Sequence, residues 1–143
     1  EQHMDLIQTM TKDLPWLNVP KNGHDFPSSN RLLFYFWSIS CPYCSELTDQ
    51  LLEETVNLET FHVIAVHVPY TAEEKALELV KTRVEEKKIT IPVVLDQNYA
   101  IAQSFGIQGI PAFCLVNQQM KKELLTMGEE GFHKMMKKIK QLK

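Results

Sequence analysis

Leu32-Leu33-Phe34-Tyr35-Phe36-Trp37-Ser38-Ile39-Ser40-Cys41-Pro42-Tyr43-Cys44 is the stretch on which the fold turns, because an apolar run gives way here to a helical pattern across two cysteines. Leu32 to Trp37 is continuously apolar and aromatic, as expected of a central strand covered on both faces. From Pro42 onward Leu47, Leu51 and Leu58 recur at helical spacing, with Leu52 and Val56 widening the stripe. A cysteine at such a junction meets unsatisfied N–H groups and the positive end of a helix dipole. Both favour thiolate over thiol and lower the pKa below the roughly 8.5 of a free cysteine. Cys41 is therefore the candidate nucleophile. Pro42 suits the first helical turn, since it has no N–H to leave unpaired and its φ is already helical. Cys44, inside that turn and less accessible, suits a resolving thiol, and two cysteines at this spacing can close a small ring when oxidised.

The pattern outside this stretch alternates strand and helix. Val63 to Val68 is short and β-branched, a second buried strand; Thr71 and Glu74 read as a capping box ahead of a helix with Leu77, Val80 and Val84 on its apolar face. Pro92 to Leu95 follows as a strand, and Tyr99 to Phe105 as a short helix that Gly106 can close in the left-handed conformation. Ala112 to Val116 and Glu123 to Met127 make a hairpin. The last helix turns Phe132, Met135, Met136, Ile139 and Leu142 inward, while Lys134, Lys137, Lys138, Lys140 and Lys143 form a solvated face. Upstream, Pro15 to Asn30 is rich in Pro, Asn, Gly and Ser and reads as irregular. The order implies one α/β domain over residues 1–143, three-layered around a mixed sheet, with residues 4–30 as an N-terminal extension. Glu1 to His3 read as the remnant of a tag.

The chain has 143 residues, 44% hydrophobic and 23% charged, with a formal charge of -3. That is long enough to bury a core without disulfide or metal staples, and three cysteines are too few for a stapled mini-protein. No apolar run approaches the roughly 20 residues of a membrane span, and the near-neutral charge offers no field to a nucleic-acid backbone. From Met4 there is neither a basic n-region nor a long apolar segment. A cytoplasmic location is the expectation, with an extracytoplasmic protein that has lost its signal or anchor as the alternative. A monomer is expected, and no cofactor. His62 and His67 suggest a zinc site with the two cysteines, but an offset of five on one strand puts them on opposite faces, about 16 Å apart. No metal site is assigned. Cys114, three residues after Pro111 in an apolar strand, reads as a small buried hydrophobe.

Taken together, Phe36 to Cys44 and Gly106-Ile107-Gln108-Gly109-Ile110-Pro111-Ala112 resemble the two motifs of the thioredoxin fold. The added helix and strand between Val63 and Leu95 are similar to the TlpA/ResA-like branch of the thiol-disulfide oxidoreductases. The likeness runs from Leu32 to the C-terminus. It implies a cis peptide bond at Pro111, lying against the active cysteines, with Ile110 and Pro111 as the platform on which a substrate chain pairs. Trp37, Pro42 and Tyr43 would complete the substrate-binding surface. Two positions depart from the family. Tyr35 stands where many thioredoxins have a buried Asp, and Leu47 where ResA-like members have a Glu. Glu46, one residue earlier and about 100° round the helix, and water are the remaining candidates to accept the proton of Cys44. Pro42-Tyr43 is also the glutaredoxin dipeptide, but the rest of the chain does not resemble that family.

The expected activity is exchange of a Cys41–Cys44 dithiol with protein disulfides, as a reductase, with a thiol partner supplying or accepting electrons. Two alternatives stand beside it. A peroxiredoxin-like thiol peroxidase would want a Thr where Ser38 lies. A non-catalytic binding module would keep the Pro111 platform and show a Cys41 unreactive towards iodoacetamide.

Overall fold

The computed structural model describes residues 13–19, 30–119 and 121–142. Glu1 to His3, most of the 4–30 extension and Lys143 lie outside the described residues. In chain order the elements are β1 (Trp16–Leu17), β2 (Arg31–Trp37), α1 (Cys44–Thr55), β3 (Phe61–His67), a 3-10 turn (Ala72–Lys75), α2 (Leu77–Glu86), β4 (Val93–Leu95), α3 (Ala100–Phe105), β5 (Ala112–Val116), β6 (Lys122–Met127) and α4 (Gly128–Leu142). The strands form one sheet in the order β1-β4-β3-β2-β5-β6. β2, β3 and β4 run parallel, and β1, β5 and β6 lie antiparallel to their neighbours.

The continuous apolar run of β2 follows from its central place, because both of its faces are covered. Successive side chains alternate across the sheet. Leu33, Tyr35 and Trp37 join Leu47 and Leu51 of α1, Val80 and Val84 of α2, and Phe132, Met135, Met136 and Ile139 of α4 in one core. Leu32, Phe34 and Phe36 pack on the other face against Ile101, Ala102 and Phe105 of α3. The parallel pairing of β2 with β3 aligns Trp37 with His67, so both strands end together at one rim of the sheet. Gly106 closes α3 with φ 72°, a left-handed value that glycine adopts without steric cost.

Four expectations change. Trp16 and Leu17 are not irregular: they pair with Val94 and Val93, the Leu95 N–H donates to the Pro15 carbonyl at 3.0 Å, and the Asn18 side chain donates to the Ile89 carbonyl at 2.7 Å. A two-residue strand has no periodicity to read, and its partner edge lies far along the chain. Helix α1 begins at Cys44, so Pro42 lies in the turn ahead of it and not in its first turn. The helix also ends at Thr55, which leaves Val56 74% exposed and Leu58 in the following loop. Lastly, Thr71 and Glu74 form no capping box; Thr71 makes no side-chain cap, and Glu74 turns inward to an unrelated partner.

Candidate active site

Cys41 follows the end of β2 by a short loop, Ser38 to Ser40, and Cys44 is the first residue of α1. Their sulfurs are joined as a disulfide, with the Cα atoms 5.4 Å apart, inside the range such a bond requires. The turn between them is tight: the Cys44 N–H donates to the Cys41 carbonyl at 3.3 Å, and the Leu47 N–H to Tyr43 at 3.3 Å. Exposure is unequal. Cys41 retains 8% and Cys44 only 1%, whereas Pro42 is exposed and the Tyr43 ring is 70% exposed. Of the two cysteines, Cys41 is the more accessible residue.

The Ile110–Pro111 peptide bond is cis. Pro111 is buried, and Ile110 packs against the core cluster that contains both cysteines. The Gly128 N–H donates to the Pro111 carbonyl at 2.8 Å, fixing the bend from the start of α4. Trp37 is buried in the same cluster, its ring edge-to-face with His67 at 5.1 Å. It therefore forms the floor of the site and offers no exposed face.

Three positions bear on the proton of Cys44. Tyr35 places its hydroxyl 2.7 Å from Thr48 Oγ1 and 3.1 Å from the Cys44 carbonyl, to which it donates. Burial pushes its phenol well above the ordinary value, against the Thr48 hydrogen bond, so it stays a donor at neutral pH. Leu47 is buried in the core, and Glu46 is exposed on the first turn of α1. Ser38 is buried, and its hydroxyl has no partner among the described residues.

A carboxylate that the sequence did not single out for this site lies under the loop. Glu74, 2% exposed, accepts the Ile39 N–H at 2.8 Å and the Ser40 hydroxyl at 2.5 Å. It also faces His67 Nε2 at 3.1 Å. Burial raises its pKa, but the hydrogen bonds from Ser40, Ile39 and His67 together outweigh burial and leave it below the usual range. His67 moves down because burial disfavours its charged form more than Glu74 favours it. The pair is a neutral imidazole donating from Nε2 to a carboxylate. His62 lies elsewhere, its ring 2.9 Å from the Asn30 side chain. Cys114 is fully buried on β5, and burial pushes its thiol up to about 12.

Residues 27–143 match the thioredoxin-like domain family. The chain is 49% identical over 126 residues to the thioredoxin-like protein SkfH of Bacillus subtilis (strain 168), covering 88% of this chain and 89% of SkfH. It is 25% identical over 131 residues to the thiol-disulfide oxidoreductase YkuV of the same organism, covering 91% and 88%. The solution structure of a thioredoxin-like protein in the oxidized form superposes with a TM-score of 0.75 at 25% identity, covering 88% of this chain and 86% of that one.

Proposed function

This chain belongs to the thioredoxin-like domain family, and from that premise we propose that it reduces protein disulfides through Cys41 and Cys44. The Cys41 thiolate attacks one sulfur of a substrate disulfide, a Cys41–substrate bond forms, and the second substrate sulfur leaves as a thiolate that takes a proton from water. Cys44 then loses its proton, to water or to Glu46, and attacks Cys41. The Cys41–Cys44 bond forms and the first substrate sulfur leaves. Two electrons have passed from the dithiol to the substrate, and an external thiol restores the pair by the reverse exchange. The substrate chain lies over Pro42, Tyr43, Ile110 and Pro111, with Trp37 supporting the surface from beneath.

The observation that carries this reading is the unequal exposure of two bonded cysteines, 8% against 1%. It supports division of labour between an attacking and a resolving sulfur. Turnover of insulin disulfides with dithiothreitol tests it. Cys41→Ser is expected to abolish turnover, whereas Cys44→Ser accumulates a mixed disulfide visible by mass spectrometry. Equal turnover by the wild type and Cys41→Ser would remove the proposal.

A further inference from the structure

The loop that delivers Cys41 has little to hold it in place on its own. Between Trp37 and Cys41 its one internal backbone hydrogen bond is Cys41 N–H to the Ser38 carbonyl, at 3.4 Å. Restraint comes from across the molecule. Glu74, 35 residues on from Ile39 and 34 from Ser40, accepts from both, one with each carboxylate oxygen. Arg83 on α2 approaches the Ile39 carbonyl at 3.5 Å, so both backbone polar groups of Ile39 meet side chains of the same crossover between β3 and β4.

A carboxylate held at 2% exposure is costly to desolvate unless its oxygens are satisfied. Glu73, its neighbour on the 3-10 turn, is exposed, as Glu74 would be if the turn merely joined β3 to α2. Instead the side chain is turned in and anchored a third time by His67, at the end of the strand beside β2. Hydrogen bonds to an ionised acceptor are among the stronger ones, and three of them converge here. Losing the carboxylate would remove the acceptor shared by the two residues immediately before Cys41, leaving Ile39 only its core packing and the Arg83 contact.

We propose that Glu74 is a positioning residue for thiol–disulfide exchange: its buried carboxylate, tethered to His67, fixes Ile39 and Ser40 and with them the place of the Cys41 sulfur. It rests on the reading of Cys41 as the attacking sulfur. Attack on a disulfide needs an aligned approach, and displacements near 1 Å can cost about a hundredfold in rate. A small alkylating reagent needs only the thiolate.

The experiment compares wild type, Glu74→Gln and Ser40→Ala, reduced and confirmed as folded by circular dichroism. The readouts are insulin-disulfide turnover and the pH dependence of iodoacetamide labelling at Cys41. Glu74→Gln is expected to lower turnover about tenfold or more. It should also raise the midpoint of the labelling curve by about half a pH unit, as the sulfur leaves the helix mouth. Ser40→Ala, which removes one exposed-side bond and leaves the core untouched, shifts both the same way by less. A folded Glu74→Gln with wild-type turnover and labelling overturns the assignment. So does a midpoint that falls, since that would mark Glu74 as acting by charge alone. If Glu74→Gln does not fold, an unchanged Ser40→Ala overturns it. Failure of the underlying reading is distinct, for it appears in the wild type, as turnover that survives Cys41→Ser.

Discussion

Cys41 and Cys114 hold their sulfurs in different surroundings: Cys41 is bonded to Cys44 and keeps 8% exposure, whereas Cys114 is free and fully buried. Cys114 is enclosed on β5, where burial outweighs the opposing influence of Lys122 and pushes its thiol up to about 12. At pH 8 only about one molecule in ten thousand would then be a thiolate there. Reduced native protein treated with iodoacetamide is therefore expected to leave Cys114 unlabelled, and to label it once denatured; native labelling at Cys114, read by peptide mass, would contradict this. The sequence made these positions readable, since Cys-Pro-Tyr-Cys marks a strand-to-helix junction and Cys114 lies in an apolar run. Glu74 was not readable. Thr71 and Glu74 match a local capping pattern, but donors more than thirty residues earlier in the chain, at Ile39 and Ser40, cannot be seen in a four-residue window, and they win because the carboxylate is charged and buried. Tyr35 is intermediate: its departure from the family was plain, whereas its bond to the Cys44 carbonyl depends on where Thr48 falls on α1.

The strands and helices were legible to the extent that they carry a period. α4 shows its apolar stripe from Phe132 to Ile139, and the structure buries those residues. β1 has two residues and no pattern, and becomes a strand only because β4 offers it an edge. The short α3 depends on a side chain ahead of it. Asp96, fully buried after β4, accepts the Ile101 N–H at 3.0 Å and the Ala102 N–H at 2.9 Å, two donors that the start of a helix otherwise leaves unpaired. Asp96→Ala is expected to cost about 1–2 kcal/mol and to speed amide exchange at Ile101 and Ala102 ahead of the rest of the protein. Exchange that stays uniform in the variant would show that packing by Phe34 and Phe105, whose rings lie 4.9 Å apart, holds α3 without the cap.

For the molecule as a whole, the buried groups set a response to acid. His67 titrates below its unfolded value of 6.5, so as pH falls past 6.5 the unfolded chain takes up a proton that the folded one refuses, and stability drops. Glu74, below 4.5 in the fold, extends the loss at lower pH. Asp96 works the other way, because burial raises it and the folded chain binds its proton first. Melting temperature is expected to fall between pH 6.5 and 5 in the wild type and to fall less in His67→Gln. Parallel curves for the two proteins would refute the assignment to His67. The architecture explains why the site lies where it does: β2 and β3 end together, α1 leaves from that rim, and β5 returns to it through Ile110–Pro111. The alternation of strand and helix announced this arrangement, but the strand order depends on which edges meet in space.

Gly128 begins α4 directly at the end of β6, and its N–H is spent on the Pro111 carbonyl. Three residues on, Gly131 lies so close to the strand that an added methyl would sit 3.0 Å from Thr126 Cβ. The last helix is thus riveted at its root to the Ile110–Pro111 bend, and its far end is held separately, by Leu142 against the core and by Lys140 at 3.3 Å from Glu54. Anyone attaching a dye, a bead or a fusion partner has room at the exposed side chain of Gln141, at the opposite end of the helix from that root.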